Sequence, residues 1–231
     1  MNNINLNSVF IVIPAYNEEA IIATQINNLK KHGYKNIVVV DDGSTDNTWK
    51  IIEKSDVQCL RHPINCGQGA ALYTGIQFSI RSGAEIIVTF DADGQHDPAE
   101  ISSFVNVLNT QDYDILLGSR FLNKDSCIGI SKSRLIILKL GLIITKLFYR
   151  MDITDTHNGF RALTRNAAAK IKITEYGMAH ASQILEIVKK KKLKYKELPV
   201  TIKYTDYSIE KGQSHGNAVK ILLIMIKRLF S

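Results

Sequence analysis

Cysteine is scarce: Cys59, Cys66 and Cys127 are the only three in 231 residues. Their number and spacing suit neither a disulfide framework nor a CxxC-type zinc site, and a reducing, cytosolic compartment is the setting expected. Long apolar runs are missing too. The most hydrophobic segment, "SKSRLIILKLGLIITKLFYR" (131–150), is too short and too often broken by lysine to span a bilayer. The N-terminus "MNNINLNS" is polar and uncharged, which does not fit a secretory signal peptide. There is no GxGxxG after the first strand, no GxxxxGK[ST] and no G-x-S-x-G, so the dinucleotide fingerprint, the P-loop and the hydrolase nucleophile elbow are excluded. "GQGAA" (67–71) is too short for a fingerprint and falls at the third crossover. Repeats and low-complexity stretches are absent, and a 45% hydrophobic composition gives no sign of disorder.

What is present divides unevenly. The net charge is +7, yet residues 1–120 hold 8 Lys/Arg against 14 Asp/Glu, while residues 121–231 hold 21 against 8. An acidic half suits a metal or a hydroxylated ligand, and a basic half suits an anionic partner. This split argues against a uniform nucleic-acid-binding coat, and no nucleic-acid partner is expected.

Strand and helix patterns alternate through the first 120 residues. Apolar runs at 9–13, 36–40, 57–60, 85–90 and 113–118 read as strands. Helical stretches at 18–32, 47–55, 67–83 and 97–110 separate them. Strands apolar on both faces and joined by helices predict an α/β fold with a doubly wound, mostly parallel sheet. Such sheets bind ligands beyond the carboxyl ends of their strands, where this sequence reads "PAYNEE", "DDGSTD", "RHPINCGQG", "DADGQH" and "GSR".

The sharpest of these is "DADGQH". Asp91 and Asp93, two apart at the end of a strand, can both turn towards a divalent cation, and Gln95 adds a further oxygen. Hard ions such as Mg²⁺ or Mn²⁺ take such ligands and bridge to diphosphates. The plainer alternative is a pair of solvated turn residues. Asp41 and Asp42 close the second strand, where carboxylates grip ribose hydroxyls or a base edge, although turn and helix-cap chemistry alone accounts for Ser44 and Asp46. Arg120 offers a fixed fork for phosphate or carboxylate. His96 and His157 are candidate bases, with structural roles as the alternative.

Six stretches, "IVIPAYNEE", "VVVDDGSTDNT", "HPINCGQGAALYTGI", "FDADGQHDP", "ILLGSRF" and "DTHNGFRALTR", occur in an order that resembles the family 2 inverting glycosyltransferases of the GT-A fold. The nearest branch is the polyprenyl-phosphate sugar synthases, exemplified by dolichyl-phosphate mannose synthase. The resemblance implies one GT-A domain over residues 1–215, with a nucleotide-binding half (1–120), an acceptor half (121–215) and an amphipathic basic helix (216–231). It implies that Pro14, Tyr16, Glu18, Val40 and Asp42 hold the nucleoside of a nucleoside-diphosphate sugar. Asp91, Asp93 and Gln95 would surround the metal, and Arg120 would contact phosphate. Arg134 would receive the phosphate of a polyprenyl lipid, and Lys211 would close over the nucleotide from a mobile basic loop, in which His215 stands where relatives often carry Lys or Arg. Inversion by a phosphate acceptor needs no strong base. A saccharide hydroxyl acceptor would need one, and Asp155 is the carboxylate nearby.

The segment 131–150 places Lys132, Lys139, Lys146 and Arg150 within about 40° of one another at ~100° per residue, with Arg134 opposite. This describes a helix in a membrane interface or a core helix with snorkelling lysines. "AVKILLIMIKRLF" (218–230) repeats the theme, whereas "KKKK" (189–192) reads as a solvated helix end or a lipid patch. With no transmembrane helix before Ser231, the resemblance implies a peripheral enzyme on the inner face of the cell membrane, or one borrowing a small membrane-anchor protein, with homo-oligomers possible. A bias to Asn, Lys and Ile points to an AT-rich bacterial genome and an undecaprenyl-type lipid. Two other readings stand beside it: transfer to a saccharide hydroxyl in surface-polysaccharide assembly, and a non-catalytic nucleotide-sugar-binding module.

Overall fold

The computed structural model describes residues 6–123, 127–128, 132–177, 179–204 and 207. Strand β1 (Val9–Ala15) leads through helix α1 (Ile22–Lys31) to β2 (Asn36–Asp41). The chain continues through α2 (Thr48–Glu53), β3 (Gln58–Arg61), α3 (Gln68–Arg81), β4 (Ile86–Thr89), α4 (Ile101–Thr110) and β5 (Ile115–Ser119). The second half contributes β6 (Cys127–Ile128), α5 (Lys132–Tyr149), β7 (Arg161–Thr164), α6 (Arg165–Lys170), α7 (His180–Lys190), β8 (Tyr195–Pro199) and β9 (Ile202–Lys203).

Seven strands form one sheet in the order β3-β2-β1-β4-β7-β5-β8, and β6 pairs with β9 in a small parallel ribbon. Strand β7 runs antiparallel to both neighbours, and every other pairing in the large sheet is parallel. β1 is buried along its whole length because both faces of the sheet are covered. Phe10 and Val12 point into the core beneath α3, α6 and α7, while Val9, Ile11 and Ile13 point into the core shared with α1 and α4. The helix α3 lies so close to the sheet that a Cβ on Gly75 would come within 2.3 Å of Val12 Cγ1. Small residues there bring helix and sheet together.

Strand β1 continues past the expected stop at Pro14: Pro14 registers against Val40 and Ala15 against Asp41. Pro14 lies past the end of the pairing with β4, which stops at Val12 opposite Thr89, so its missing N–H interrupts no ladder on that side. The helix expected from Glu18 begins at Ile22, because the preceding residues are bound to the neighbouring loop. Asn17 N–H donates to Ser44 Oγ (2.9 Å), Glu18 N–H to Thr48 Oγ1 (2.7 Å) and Glu19 N–H to Asp46 Oδ2 (3.2 Å). In return Asn17 Oδ1 accepts from Thr45 N–H and Glu19 Oε2 from Asn47 N–H. The loops after β1 and β2 cap each other at the carboxyl end of the sheet.

Candidate active site

The segment after β4 carries the acidic pair. Asp91 Oδ1 accepts from Gln68 Nε2 at 3.0 Å, and Oδ2 lies 3.3 Å from His96 Nε2. Gly159, just before β7, presses on the same carboxylate: a Cβ there would stand 2.2 Å from Asp91 Oδ2. Burial works to raise the pKa of Asp91, but the hydrogen bond and charge of His96, with His180 and Arg161 nearby, prevail and hold it below the usual carboxylate range. Asp93 goes the other way. Burial and the charge of Asp91 push it up to about 6. Asp93 Oδ1 accepts from Gln95 N–H (3.1 Å), and Gln95 is itself buried, its carbonyl receiving Lys203 N–H from β9. Two oxygen-donor side chains, one resisting ionisation because of its burial and the other's charge, fit a hard divalent cation, which would lift that penalty.

His96 is buried among Phe90 and Phe160, with ring centroids 5.6 and 5.3 Å away. Behind Asp91 sits Arg161, 2% exposed, its Nη1 buried without a hydrogen-bond partner among the described residues. Burial lowers its pKa to about 10 against the charges of Asp91 and Asp155. His180 and His157 are held at about 4, chiefly by burial. Arg161 and His180 were not singled out from sequence. The available signal was an arginine inside the apolar strand "FRAL", where a charge is expensive unless opposite charges surround it.

Arg120, at the end of β5, is buried and heavily committed. Its Nε donates to Asp155 Oδ2 at 2.6 Å, Nη2 to Asp155 Oδ1 at 3.4 Å and Nη1 to Tyr204 Oη at 2.7 Å. The main-chain N–H groups of Arg120 and His157 also donate to Asp155. Glu197 of β8 fixes this loop, accepting from the N–H of Thr154 and of Asp155.

The other candidates lie at the ends of β1 and β2 and on the loops that follow. Tyr16 is 42% exposed. Glu18 Oε2 accepts from Tyr207 Oη at 2.6 Å, and the Glu18 charge helps to raise Asp93. Pro14 and Val40 are buried in their strands, with Val40 Cγ2 turned towards Gly75 of α3. Asp42 spends its carboxylate on the loop after β3: Oδ1 takes His62 Nδ1 (2.7 Å) and Cys66 N–H (2.9 Å), and Oδ2 takes Gly67 N–H (2.7 Å). Arg134 lies on the first turn of α5, its side chain outside the described residues, as are Lys211, His215 and the whole of 216–231.

A largely parallel α/β sheet with an acidic cluster at its strand ends and one antiparallel insertion has the GT-A architecture of nucleotide-sugar transferases. Solved structures of glucosyl-3-phosphoglycerate synthase from Mycobacterium tuberculosis share this fold. One is in complex with Mn²⁺, UDP and glucosyl-3-phosphoglycerate, with a TM-score of 0.72, 17% identity, and 94% of this chain and 79% of that chain covered. Another carries Mg²⁺ and UDP, with a TM-score of 0.73, 17% identity and the same coverage. The chain belongs to glycosyl transferase family 2, whose profile matches residues 10–172, and it is a glycosyltransferase. It is 34% identical to the UDP-N-acetylglucosamine–dolichyl-phosphate N-acetylglucosaminyltransferase of Methanococcus voltae, over 95% of this chain and 96% of that protein. An uncharacterized protein of Methanocaldococcus jannaschii is 40% identical over 98% of this chain and 94% of its own length.

Proposed function

We propose that this chain transfers a sugar from a UDP-sugar to a polyprenyl phosphate at a membrane surface, inverting the anomeric centre. The observation that carries the choice of acceptor is the engagement of Asp155. A hydroxyl acceptor must lose its proton as it attacks, and the carboxylate that would take it is bound by three donors of Arg120 and by His157 N–H. A phosphate monoester, with a second pKa of ~6, is already a nucleophile at neutral pH. It needs alignment and charge screening rather than a base. The name of the Methanococcus voltae relative, carrying both UDP-N-acetylglucosamine and dolichyl phosphate, supports the same donor and acceptor classes.

In this reading the nucleoside lies against Pro14, Tyr16, Glu18, Val40 and Asp42. Asp91 and Asp93, with Gln95, hold Mg²⁺ or Mn²⁺, which supplies charge neutralisation to the departing diphosphate. Arg120, its charge matched by Asp155 and its guanidinium shared with Tyr204, holds the acceptor-side loops together. Arg134 receives the lipid phosphate and Lys211 closes over the nucleotide.

The membrane reading draws on α5. Ile136, Lys139, Ile143, Lys146 and Arg150 are all exposed and share a stripe about 80° wide at ~100° per residue. Aliphatic and cationic side chains side by side suit the headgroup boundary of an anionic bilayer. No described helix is long and apolar enough to cross a membrane.

The test is to incubate the purified protein with UDP- and GDP-sugars, Mn²⁺ or Mg²⁺, and either a short polyprenyl phosphate or free saccharides. Release of UDP and formation of a glycosyl-phosphate lipid, with saccharides unreacted, is the expected result. Transfer to a saccharide hydroxyl, with the lipid phosphate ignored, would replace this reading with the polysaccharide one.

A further inference from the structure

We propose that Asp42, His62 and Cys66 form a second metal site, selective for a soft or borderline ion such as Zn²⁺ and separate from the oxygen-donor pair at Asp91 and Asp93. One ligand atom from each of the three lies within 4.8 Å of the other two. Zn–N and Zn–O bonds of ~2.0–2.1 Å and Zn–S of ~2.3 Å separate tetrahedral ligands by ~3.3–3.6 Å, so closing the site takes an inward movement of the Cys66 loop by about 1 Å and a slight opening of the 2.7 Å contact between His62 Nδ1 and Asp42 Oδ1. This loop is already tied to Asp42, whose Oδ1 receives both His62 Nδ1 and Cys66 N–H. Cys66 is exposed, and its thiol makes a weak contact with Ile64 O at 3.4 Å. Three protein ligands leave the fourth position to water or a ligand.

The protons balance. In the ion's absence His62 Nδ1–H donates to Asp42, and Nε2 faces Thr74 Oγ1 at 2.9 Å. A hydroxyl both donates and accepts. On binding, the His62 proton therefore moves from Nδ1 to Nε2 and is donated to Thr74, freeing Nδ1 for the ion. The thiol proton of Cys66 goes to solvent. Thr74 acts as the outer partner that orients the imidazole. The donor sets sort the ions: N, S and one carboxylate favour Zn²⁺, whereas carboxylates alone favour Mg²⁺ or Mn²⁺.

Because the end of the sheet beside Asp42 is the part assigned to the nucleoside under the proposed function, a filled site would weaken nucleotide binding. That consequence rests on that reading, and the binding test below does not. Co²⁺ serves as an optical substitute for Zn²⁺, with Asp93→Asn as the background that removes the oxygen-donor site. The expected result is a near-ultraviolet thiolate-to-cobalt absorption band, displaced by Zn²⁺, lost in Cys66→Ser and present in Cys59→Ser. Thr74→Val should weaken Zn²⁺ binding by ~10-fold, as the loss of an outer partner does, with the band retained. Absence of the band in the folded parent, or its survival in Cys66→Ser, would overturn the proposal.

Discussion

Arg120 and Asp155 are both nearly inaccessible, and their charges are compatible with burial only together. Removing one partner strands the other, at a cost of ~3–5 kcal/mol. Asp155→Asn should therefore lower the midpoint of thermal unfolding markedly, and the double replacement Arg120→Met with Asp155→Leu should regain much of the loss. An Asp155→Asn protein with unchanged stability and no turnover would instead restore a proton-accepting role. Asp93→Asn should behave differently. It deletes a candidate metal ligand whose ionisation the fold resists, so turnover should fall by ~100-fold or more while metal-free stability at neutral pH rises. The titrating groups also set an acid limit. His157 and His180 sit near 4 rather than 6.5, so protonating them favours the unfolded chain, and the stability they contribute is lost as pH falls from about 6.5 towards 4. Asp93, raised from 3.8 to about 6, acts in the opposite sense, adding stability as pH falls through the same range. Two histidines outweigh one aspartate, leaving a net loss on the order of 2 kcal/mol between pH 8 and pH 5. Urea unfolding without divalent metal checks this, and the loss should deepen in Asp93→Asn, where the opposing contribution of Asp93 is gone.

Strand β7 brings the second half of the chain into contact with the acidic pair. Its entry through Gly159 leaves no room for a methyl group beside Asp91. Gly159→Ala should cost ~1–3 kcal/mol by overpacking and weaken Mn²⁺ binding by moving the carboxylate, measurable by calorimetric titration and thermal unfolding of the same protein. Strands β1, β2, β4 and β5 are legible in sequence because each is apolar on both faces and bounded by turn residues, whereas the edge strand β3 is half-exposed and shows only a short apolar run. β7 is not legible: "RALT" is four residues long, and its arginine reads as surface until Asp91 and Asp155 are known to lie on either side of it. The same holds for Arg120. "GSR" announced a cation at a strand end, but only the fold reveals that a carboxylate 35 residues later already occupies its fork. The start of α1 was misplaced because its first turn is replaced by hydrogen bonds to a loop that no local pattern encodes.

For the whole molecule, the division of charge would decide orientation at an anionic surface. The acidic first 120 residues would be repelled by an anionic bilayer and the basic remainder drawn to it, so the field alone would turn the exposed face of α5 towards lipid. Attraction of a lysine near such a surface amounts to ~1 kcal/mol and falls off within a Debye length of ~8–10 Å, whereas burial of isoleucine is indifferent to salt. The two contributions can therefore be separated by cosedimentation with vesicles. Lys139→Gln and Lys146→Gln should each lower partitioning onto phosphatidylglycerol vesicles by ~5-fold at low salt, and the difference from the parent should shrink as salt is raised. Ile136→Ser with Ile143→Ser should weaken partitioning at every salt concentration, onto neutral phosphatidylcholine as well. Equal binding of all four proteins would remove α5 from the membrane contact. A lysine effect without an isoleucine effect would place the helix above the headgroups rather than among them, and under the proposed function a lipid acceptor's phosphate would then have to rise out of the bilayer to reach Asp91 and Asp93.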